Sequence, residues 1–386
     1  MKSIPFNKPS FQGKELDFII QAVQSGHISG DGLYTRKCSD YLEKKLNAKK
    51  ILLTTSCTHA LEMASILIDL KEGDEVIVPS YTFVSTVNAF MLRGAKPVFV
   101  DIREDTKNID ENLIEEKITN RTRAIFPVHY AGVSCNMEKI MDIAKKYNLY
   151  VVEDAAQGVG SKYNDDYLGT IGDLGCFSFH ETKNIICGEG GALIINNEKF
   201  IERAEIIREK GTNRSKFFRG EVDKYTWVSL GSSYLPSDIL SAFLLAQLEQ
   251  MDSILAIRKK LFDKYYDSFK ELEDDGFIEL PRCPKNCFQN YHMFYILLPS
   301  QKRRDSLIQY LKQRDISAVF HYIPLHSSPM GESLGYVERE LPITEDVSKR
   351  LLRLPFYNDM TEVEQHRVIK NLAGFFNLSV ALKSPI

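Results

Sequence analysis

Apolar positions along the chain fall into two alternating spacings. Short runs rich in β-branched or aromatic residues recur at 51–54, 75–78, 97–100, 124–128, 150–153, 176–179 and 192–195, and each reads as a strand. Between them the apolar residues take the helical interval. Ala60, Met63, Ala64, Leu67 and Ile68 form one stripe, and Met137, Ile140, Met141 and Ala144 form another. Strand–helix alternation of this length predicts an α/β fold with a mostly parallel central sheet covered by helices on both faces. Such sheets hold ligands beyond the carboxyl ends of their strands, which is where chemistry is to be sought.

The pattern changes after an apolar helix expected at 237–251. A charged helical stretch at 258–275 follows, then Pro281-Arg282-Cys283-Pro284, a strand at 293–298, a helix at 305–313, a strand at 317–321 and a last helix at 361–375. The expected organisation is a large domain over 1–251 and a smaller α+β domain over 252–386, within the two or three domains that 386 residues allow. No internal repeat or low-complexity segment interrupts it.

Composition narrows the class. The chain is 44% hydrophobic and 26% charged, a globular balance, and 49 Lys+Arg against 52 Asp+Glu leaves a net charge of −3. No basic excess points to nucleic acid or an anionic membrane. The longest apolar run, 293–298, is far short of the ~20 residues a bilayer requires. The opening Met1-Lys2-Ser3-Ile4-Pro5 has no hydrophobic core of the signal-peptide kind, so a cytoplasmic protein is expected. Seven scattered cysteines read as reduced thiols. Cys283 and Cys287 lack the further ligands that structural zinc demands, so no metal is expected.

Three features at strand ends point to chemistry. Asp154 follows the apolar run 150–153, Lys183 follows the run 176–179, and Ser56-Cys57-Thr58-His59 joins the first strand to its helix. Taken singly, Asp154 reads as a helix cap, Lys183 as a solvated surface lysine and Thr58 as a cap. Gly188-Glu189-Gly190-Gly191 reads as a turn into a strand, without the spacing of a dinucleotide fingerprint. Together they supply a phosphate-binding helix end, an acid suited to a protonated ring nitrogen, and an amine able to condense with a carbonyl. Those are the fixtures that pyridoxal 5′-phosphate requires.

Several motifs then occur in order: Pro79-Ser80-Tyr81-Thr82-Phe83-Val84-Ser85-Thr86, Pro127-Val128-His129-Tyr130-Ala131-Gly132, Glu153-Asp154-Ala155-Ala156-Gln157, Phe177-Ser178-Phe179-His180-Glu181-Thr182-Lys183-Asn184, Gly188-Glu189-Gly190-Gly191 and His321-Tyr322-Ile323-Pro324-Leu325-His326. In these the sequence resembles the DegT/DnrJ/EryC1/StrS family of nucleotide-sugar aminotransferases, from Pro5 to the last helix. The resemblance implies the aspartate aminotransferase (type I) fold, pyridoxal phosphate as cofactor and a homodimer with active sites at the interface. It also implies L-glutamate and a nucleotide-linked 4-keto-6-deoxy sugar as substrates. The segments 28–36, 211–215, 219–227 and 231–235 are similar to members that aminate C4 of dTDP-4-dehydro-6-deoxy-D-glucose, a step toward surface polysaccharide, with the galacto product expected.

Residue by residue, the resemblance makes Lys183 the cofactor-bearing catalytic lysine and proton carrier, and Asp154 the partner of the ring nitrogen. Gln157 becomes a donor to the ring oxygen, and Phe83 the aromatic that covers the ring. Thr58, the backbone N–H of His59 and Ser178 become the phosphate ligands. His321 and Tyr322 match positions facing the sugar nucleotide. The cationic stretch 211–227 reads as a lid reaching a neighbouring subunit, where Arg219 meets the diphosphate; a plain solvated loop is the competing account. His180 has an open role. Leu235 stands where many relatives place a phosphate ligand for the partner subunit, with Ser232 or Ser233 as replacements. Two other functions compete on the same fold. A dehydrase carries His where Lys183 stands, and a non-catalytic sugar-nucleotide binder has no use for such an amine.

Overall fold

The computed structural model describes residues 2–376; Met1 of the expected first domain and residues 377–386 of the second lie outside the described residues. In order, the first half contains α1 (Glu15–Gln24), α2 (Leu33–Leu46), β1 (Lys50–Thr54), α3 (Cys57–Leu67), β2 (Glu75–Pro79), α4 (Val84–Met91), β3 (Lys96–Val100), β4 (Thr122–Ile125), α5 (Met137–Tyr147) and β5 (Tyr150–Asp154). Next come β6 (Lys162–Tyr163), β7 (Asp166–Tyr167), β8 (Leu174–Ser178), β9 (Gly191–Ile195), α6 (Ile201–Arg208), α7 (Arg214–Phe218), α8 (Asp238–Glu249) and α9 (Met251–Asp274). The remainder is β10 (Cys287–Phe288), β11 (Tyr295–Leu297), α10 (Gln301–Lys312), α11 (Pro329–Ser333), α12 (Pro342–Arg350), β12 (Leu351–Arg353) and α13 (Glu362–Phe375).

Seven strands form one sheet in the order β1-β9-β8-β5-β4-β2-β3. Every pairing is parallel except the two made by β9, which runs against β1 and β8. The architecture is therefore the expected α/β one, with a mostly parallel sheet. Adjacent residues on each strand enter opposite cores. Ile51, Ile77, Ile125, Val151 and Ile194 pack on one face, beneath α2, α5 and α8. Leu52, Val76, Ala124, Val152 and Leu193 pack on the other, beneath α3, α4 and α6. Burial on both faces is why these strands read as continuous apolar runs rather than alternating ones.

A third core joins α9, α10 and α13 to the β11–β12 pair, and Ile4 from the N-terminal segment is part of it. Helices α8 and α9 meet at a 62° bend. Among the described residues no single helix is long and apolar enough to cross a membrane. All seven cysteines are free thiols.

Two sequence expectations shift. The run 124–128 leaves the sheet after Ile125, and Val128 returns only for a single bridge to Asp154. The run 317–321 is not a strand. It makes one bridge, Val319 to Arg353, the last residue of the three-residue β12. The parallel strands bring their carboxyl ends to one edge. There β1 delivers Ser56, β2 delivers Thr82 and Phe83, β5 ends at Asp154 and β8 ends at Ser178.

Candidate active site

At that edge lies a cavity of about 820 Å³. It gathers Thr58, Phe83, Asp154, Gln157, Ser178, Lys183, His321 and Tyr322, residues spread over more than 260 positions of sequence.

One wall is the start of α3. Ser56 caps the helix, its Oγ accepting the N–H of His59 at 3.1 Å. The amides of Cys57 and Thr58, first in the helix, have no acceptor within it and face an electropositive end. Thr58 Oγ1 donates to Ser85 Oγ at 2.8 Å, so two hydroxyls stand beside these amides. Strand β9 passes directly beneath. A Cβ on Gly191 would lie 2.3 Å from the Ser56 carbonyl carbon and 2.4 Å from the Cys57 nitrogen. Glycine is required there for close backbone approach, and Gly188 supplies the left-handed turn (φ +86°) that leads in.

Asp154 sits opposite, 5% exposed. Its Oδ2 accepts Thr86 Oγ1 at 2.7 Å and its Oδ1 accepts the N–H of Ala156 at 3.1 Å. Thr86 in turn shares a 2.9 Å bond with Thr82, which fixes the carboxylate's orientation. Lys183 lies on a turn held by its own N–H to the His180 carbonyl. Among the described residues its Nζ has no hydrogen-bond partner, and burial lowers its pKa from the ordinary lysine value, opposed by the neighbouring Cys57 and Asp154. A lowered pKa raises the fraction present as neutral, nucleophilic amine.

The far wall is aromatic. The rings of His321 and Tyr322 stack with centroids 3.7 Å apart, and His321 Nδ1 shares a 2.6 Å hydrogen bond with Tyr130 Oη. Burial, with Arg353 and Lys183 nearby, holds His321 well below the usual histidine pKa and therefore neutral. Gln157 is committed at both ends. Its Oε1 accepts the Ala131 N–H at 2.7 Å and its Nε2 donates to Tyr322 Oη at 2.9 Å. Phe83 is 56% exposed at the rim, its ring centroid 6.4 Å from that of Tyr322, so it is no part of a core.

One expectation needs correction. The backbone N–H of His59 is bonded to the Ser56 cap and its ring packs edge-on to Tyr234, so the unpaired amides are those of Cys57 and Thr58. Arg219 does not line its own chain's cavity: it is ion-paired with Glu205 and Glu221. The stretch 211–227 makes several contacts within its own chain. It contains α7, bridges Thr212 to Trp227 and pairs Arg214 with Glu209 and Lys216 with Glu202. Leu235 packs its side chain where Gly30 leaves room. His180 lines the cavity and bonds Thr182 at 2.9 Å.

Among the lining residues, Cys57, Ser85 and Thr86 stood in motifs without a role, and His292 and Arg353 escaped the sequence reading. Thr86 was findable, since Thr82 and Thr86 are one helical turn apart after a strand. Arg353 was findable as a cation inside the apolar run 351–356. His292 carried no signal; its Nδ1 meets Asn184 Oδ1 at 3.0 Å, beside Lys183. Among the described residues no cluster of three or more His, Cys, Asp or Glu has metal-binding geometry.

A model of the DegT/DnrJ/EryC1/StrS aminotransferase family matches residues 9–373. GDP-perosamine synthase of Escherichia coli O157:H7 is 32% identical over 98% of this chain and 100% of its own. Among solved structures, the pyridoxal phosphate form of Spr1654 from Streptococcus pneumoniae, a proposed sugar aminotransferase, superposes with a TM-score of 0.89 at 26% identity, covering 98% of this chain and 100% of that one. PseC of Helicobacter pylori, an aminotransferase in pseudoaminic acid biosynthesis, gives 0.90 at 25% identity, covering 97% and 100%.

Proposed function

The chain belongs to the DegT/DnrJ/EryC1/StrS aminotransferase family and is a pyridoxal phosphate-dependent sugar aminotransferase; from that premise we propose that it transfers the amino group of L-glutamate to the C4 ketone of dTDP-4-dehydro-6-deoxy-D-glucose, giving the galacto amine. The observation that carries the assignment of roles is the cavity itself. One half-buried amine with no hydrogen-bond partner among the described residues, one doubly hydrogen-bonded carboxylate and one open helix end converge on a single space. These three groups match the cofactor's aldehyde, ring nitrogen and phosphate.

Pyridoxal phosphate, when bound, supplies an aldehyde that carries amino groups and a ring that accepts electrons from the reacting carbon. Lys183 Nζ would hold it through that aldehyde and would be the base that moves the proton at the reacting carbon. Asp154 keeps the ring nitrogen protonated, and Thr86 and the Ala156 amide hold the carboxylate ionised and oriented for that task. The Cys57 and Thr58 amides, with the Thr58, Ser85 and Ser178 hydroxyls, hold the phosphate. Gln157 serves the ring oxygen or, through Tyr322, the sugar, while Phe83 covers a ring face. His321 and Tyr322 meet the sugar nucleotide.

The substrate reading rests on the sequence likeness of 28–36, 211–215, 219–227 and 231–235 to C4-aminating members. A GDP-linked sugar is the competing reading, favoured by the name of the Escherichia coli relative. The proposal includes a cytoplasmic homodimer with sites at the interface, making sugars for surface polysaccharide. The exposed Phe218, Tyr225, Trp227 and Leu230 support such a contact. The test is incubation with cofactor, glutamate and either the dTDP- or the GDP-linked 4-keto sugar, reading the C4 configuration from proton couplings. A galacto amine from the dTDP sugar is expected; a gluco amine, or turnover with the GDP sugar alone, overturns the proposal.

A further inference from the structure

The segment 290–292 brings a histidine to the cavity wall on a backbone held from both sides. Asn290 Nδ2 donates to the Gln157 and Val159 carbonyls at 2.8 and 2.9 Å, and Arg258 donates to the Tyr291 and His292 carbonyls at 2.9 and 2.6 Å. His292 is 9% exposed and lines the cavity with Lys183. Its proton is placed by the residue after Lys183. Asn184 Nδ2 donates to the Asn290 carbonyl at 2.8 Å, which turns Asn184 Oδ1 to His292 Nδ1 at 3.0 Å. The imidazole therefore carries its proton on Nδ1 and a bare lone pair on Nε2. Burial, with Lys183, Arg258, Arg353 and His321 around it and no carboxylate among these, holds His292 well below the usual histidine pKa. The ring stays neutral at pH 7, and Nε2, which meets no donor among the described residues, is an acceptor only.

We propose that His292 is a positioning residue for Lys183: its Nε2 accepts an N–H of the lysine when that amine, free of the cofactor, carries the proton taken from the reacting carbon. This rests on the aminotransferase reading above. On taking that proton the amine becomes an ammonium with three N–H donors, while the electron pair of the broken C–H bond stays with the carbon. The resting Nζ has no hydrogen-bond partner among the described residues, so the ammonium finds its acceptor in the cavity. Asp154, the carboxylate that acts on it, already accepts Thr86 Oγ1 and the Ala156 N–H and is assigned to the ring nitrogen. Two other groups enter the same space. The carboxylates of the amino-acid donor carry only acceptors at pH 7, and a bare lone pair repels them. A sugar hydroxyl is the competing donor, but the Asn184 bond ties His292 to the Lys183 turn rather than to His321 and Tyr322, where sugar recognition is assigned.

Two substitutions separate positioning from scaffolding. His292→Asn keeps a donor for Asn184 Oδ1 and loses the Nε2 acceptor, whereas His292→Gln puts an amide oxygen near Nε2 and gives up the Asn184 bond. In protein loaded with pyridoxamine phosphate, where Lys183 is free, labelling of the Lys183 peptide by acetic anhydride is followed against pH. Cys57, Asp154 and Arg353 also act on that amine and are the same in every variant. Removing an acceptor from an ammonium favours the neutral amine. His292→Asn should therefore move the labelling midpoint down by about one pH unit or more, and His292→Gln should restore it. The reaction with glutamate alone should slow about tenfold or more in His292→Asn, with the half-saturating glutamate concentration held within about twofold. An unmoved midpoint in His292→Asn, or a shifted one in His292→Gln, overturns the proposal. So does a loss confined to the sugar-nucleotide step, which gives the lone pair to a sugar hydroxyl. If neither variant folds, nitrogen-15 spectra of the histidine-labelled pyridoxamine phosphate form decide. A bare His292 Nε2 whose resonance shifts on Lys183→Met is expected; an Nε2 that is protonated, or unmoved by that substitution, overturns the proposal. Failure of the aminotransferase reading shows separately, as no amino transfer from glutamate by the unaltered protein.

Discussion

Replacing Lys183 by methionine should stabilise the cofactor-free protein, and the gain should fade as pH rises. Methionine keeps the length of the side chain and removes the amine. Because Lys183 Nζ has no hydrogen-bond partner among the described residues, its loss leaves no such partner orphaned. Burial lowers the folded-state pKa below the ~10.4 of an unfolded lysine. Between those two values the unfolded chain binds the additional proton, so the stability of the unaltered protein climbs with pH. Below the folded value both states are protonated and the full penalty applies; above ~10.4 neither is and the penalty vanishes. One proton limits the slope to about 1.4 kcal/mol per pH unit. The pH-dependent part of the gain in Lys183→Met is therefore greatest at the acid end and falls to zero by ~pH 11. Urea unfolding of both cofactor-free proteins from pH 6 to 10.5, followed by fluorescence and circular dichroism together, measures it. A stability difference that is flat across that range, or that grows with pH, refutes the claim that the amine is held in a desolvated site.

Three further outcomes follow from the same geometry. Thr86→Val, which keeps the shape but removes the 2.7 Å bond to Asp154, should cost about 1.5–3 kcal/mol in equilibrium unfolding at pH 7; a loss under ~0.5 kcal/mol would mean the carboxylate does not depend on it. Gly191→Ala drives a methyl group into the Ser56–Cys57 backbone and should weaken pyridoxal phosphate binding by about tenfold or more in a fluorescence titration, whereas equal affinity would remove the α3 end from the phosphate site. Asp154→Asn should retain cofactor yet lose about 100-fold or more in turnover, and full activity would count against its pairing with the ring nitrogen.

The seven sheet strands were legible because burial on both faces writes each as a short apolar run. Their order was not, since pairing is settled by crossovers that leave no mark in spacing, and β9's reversed direction is invisible locally. The strand expected at 317–321 failed for a related reason: apolar side chains that line a cavity look like those that line a core. Asp154 and Lys183 were readable as polar residues at the mouths of apolar runs. Arg219 was readable only as a cation on a polar loop; its ion pairs with Glu205 and Glu221 left no mark in the sequence. The N–H of His59 misled because the cap, Ser56, lies two residues earlier than the cap at Thr58 that the sequence suggests. Arg353 shows the limit from the other side, for the lack of an acceptor at its Nε among the described residues is a property of three-dimensional surroundings alone.

The account turns on which side chain holds the cofactor. Protein incubated with pyridoxal phosphate, reduced with borohydride and digested should carry the pyridoxyl mass on the peptide containing Lys183, with no comparable label on other lysines and none at that peptide in Lys183→Met. Label placed elsewhere, or an unmodified Lys183 in a protein that still transfers amino groups, would contradict it.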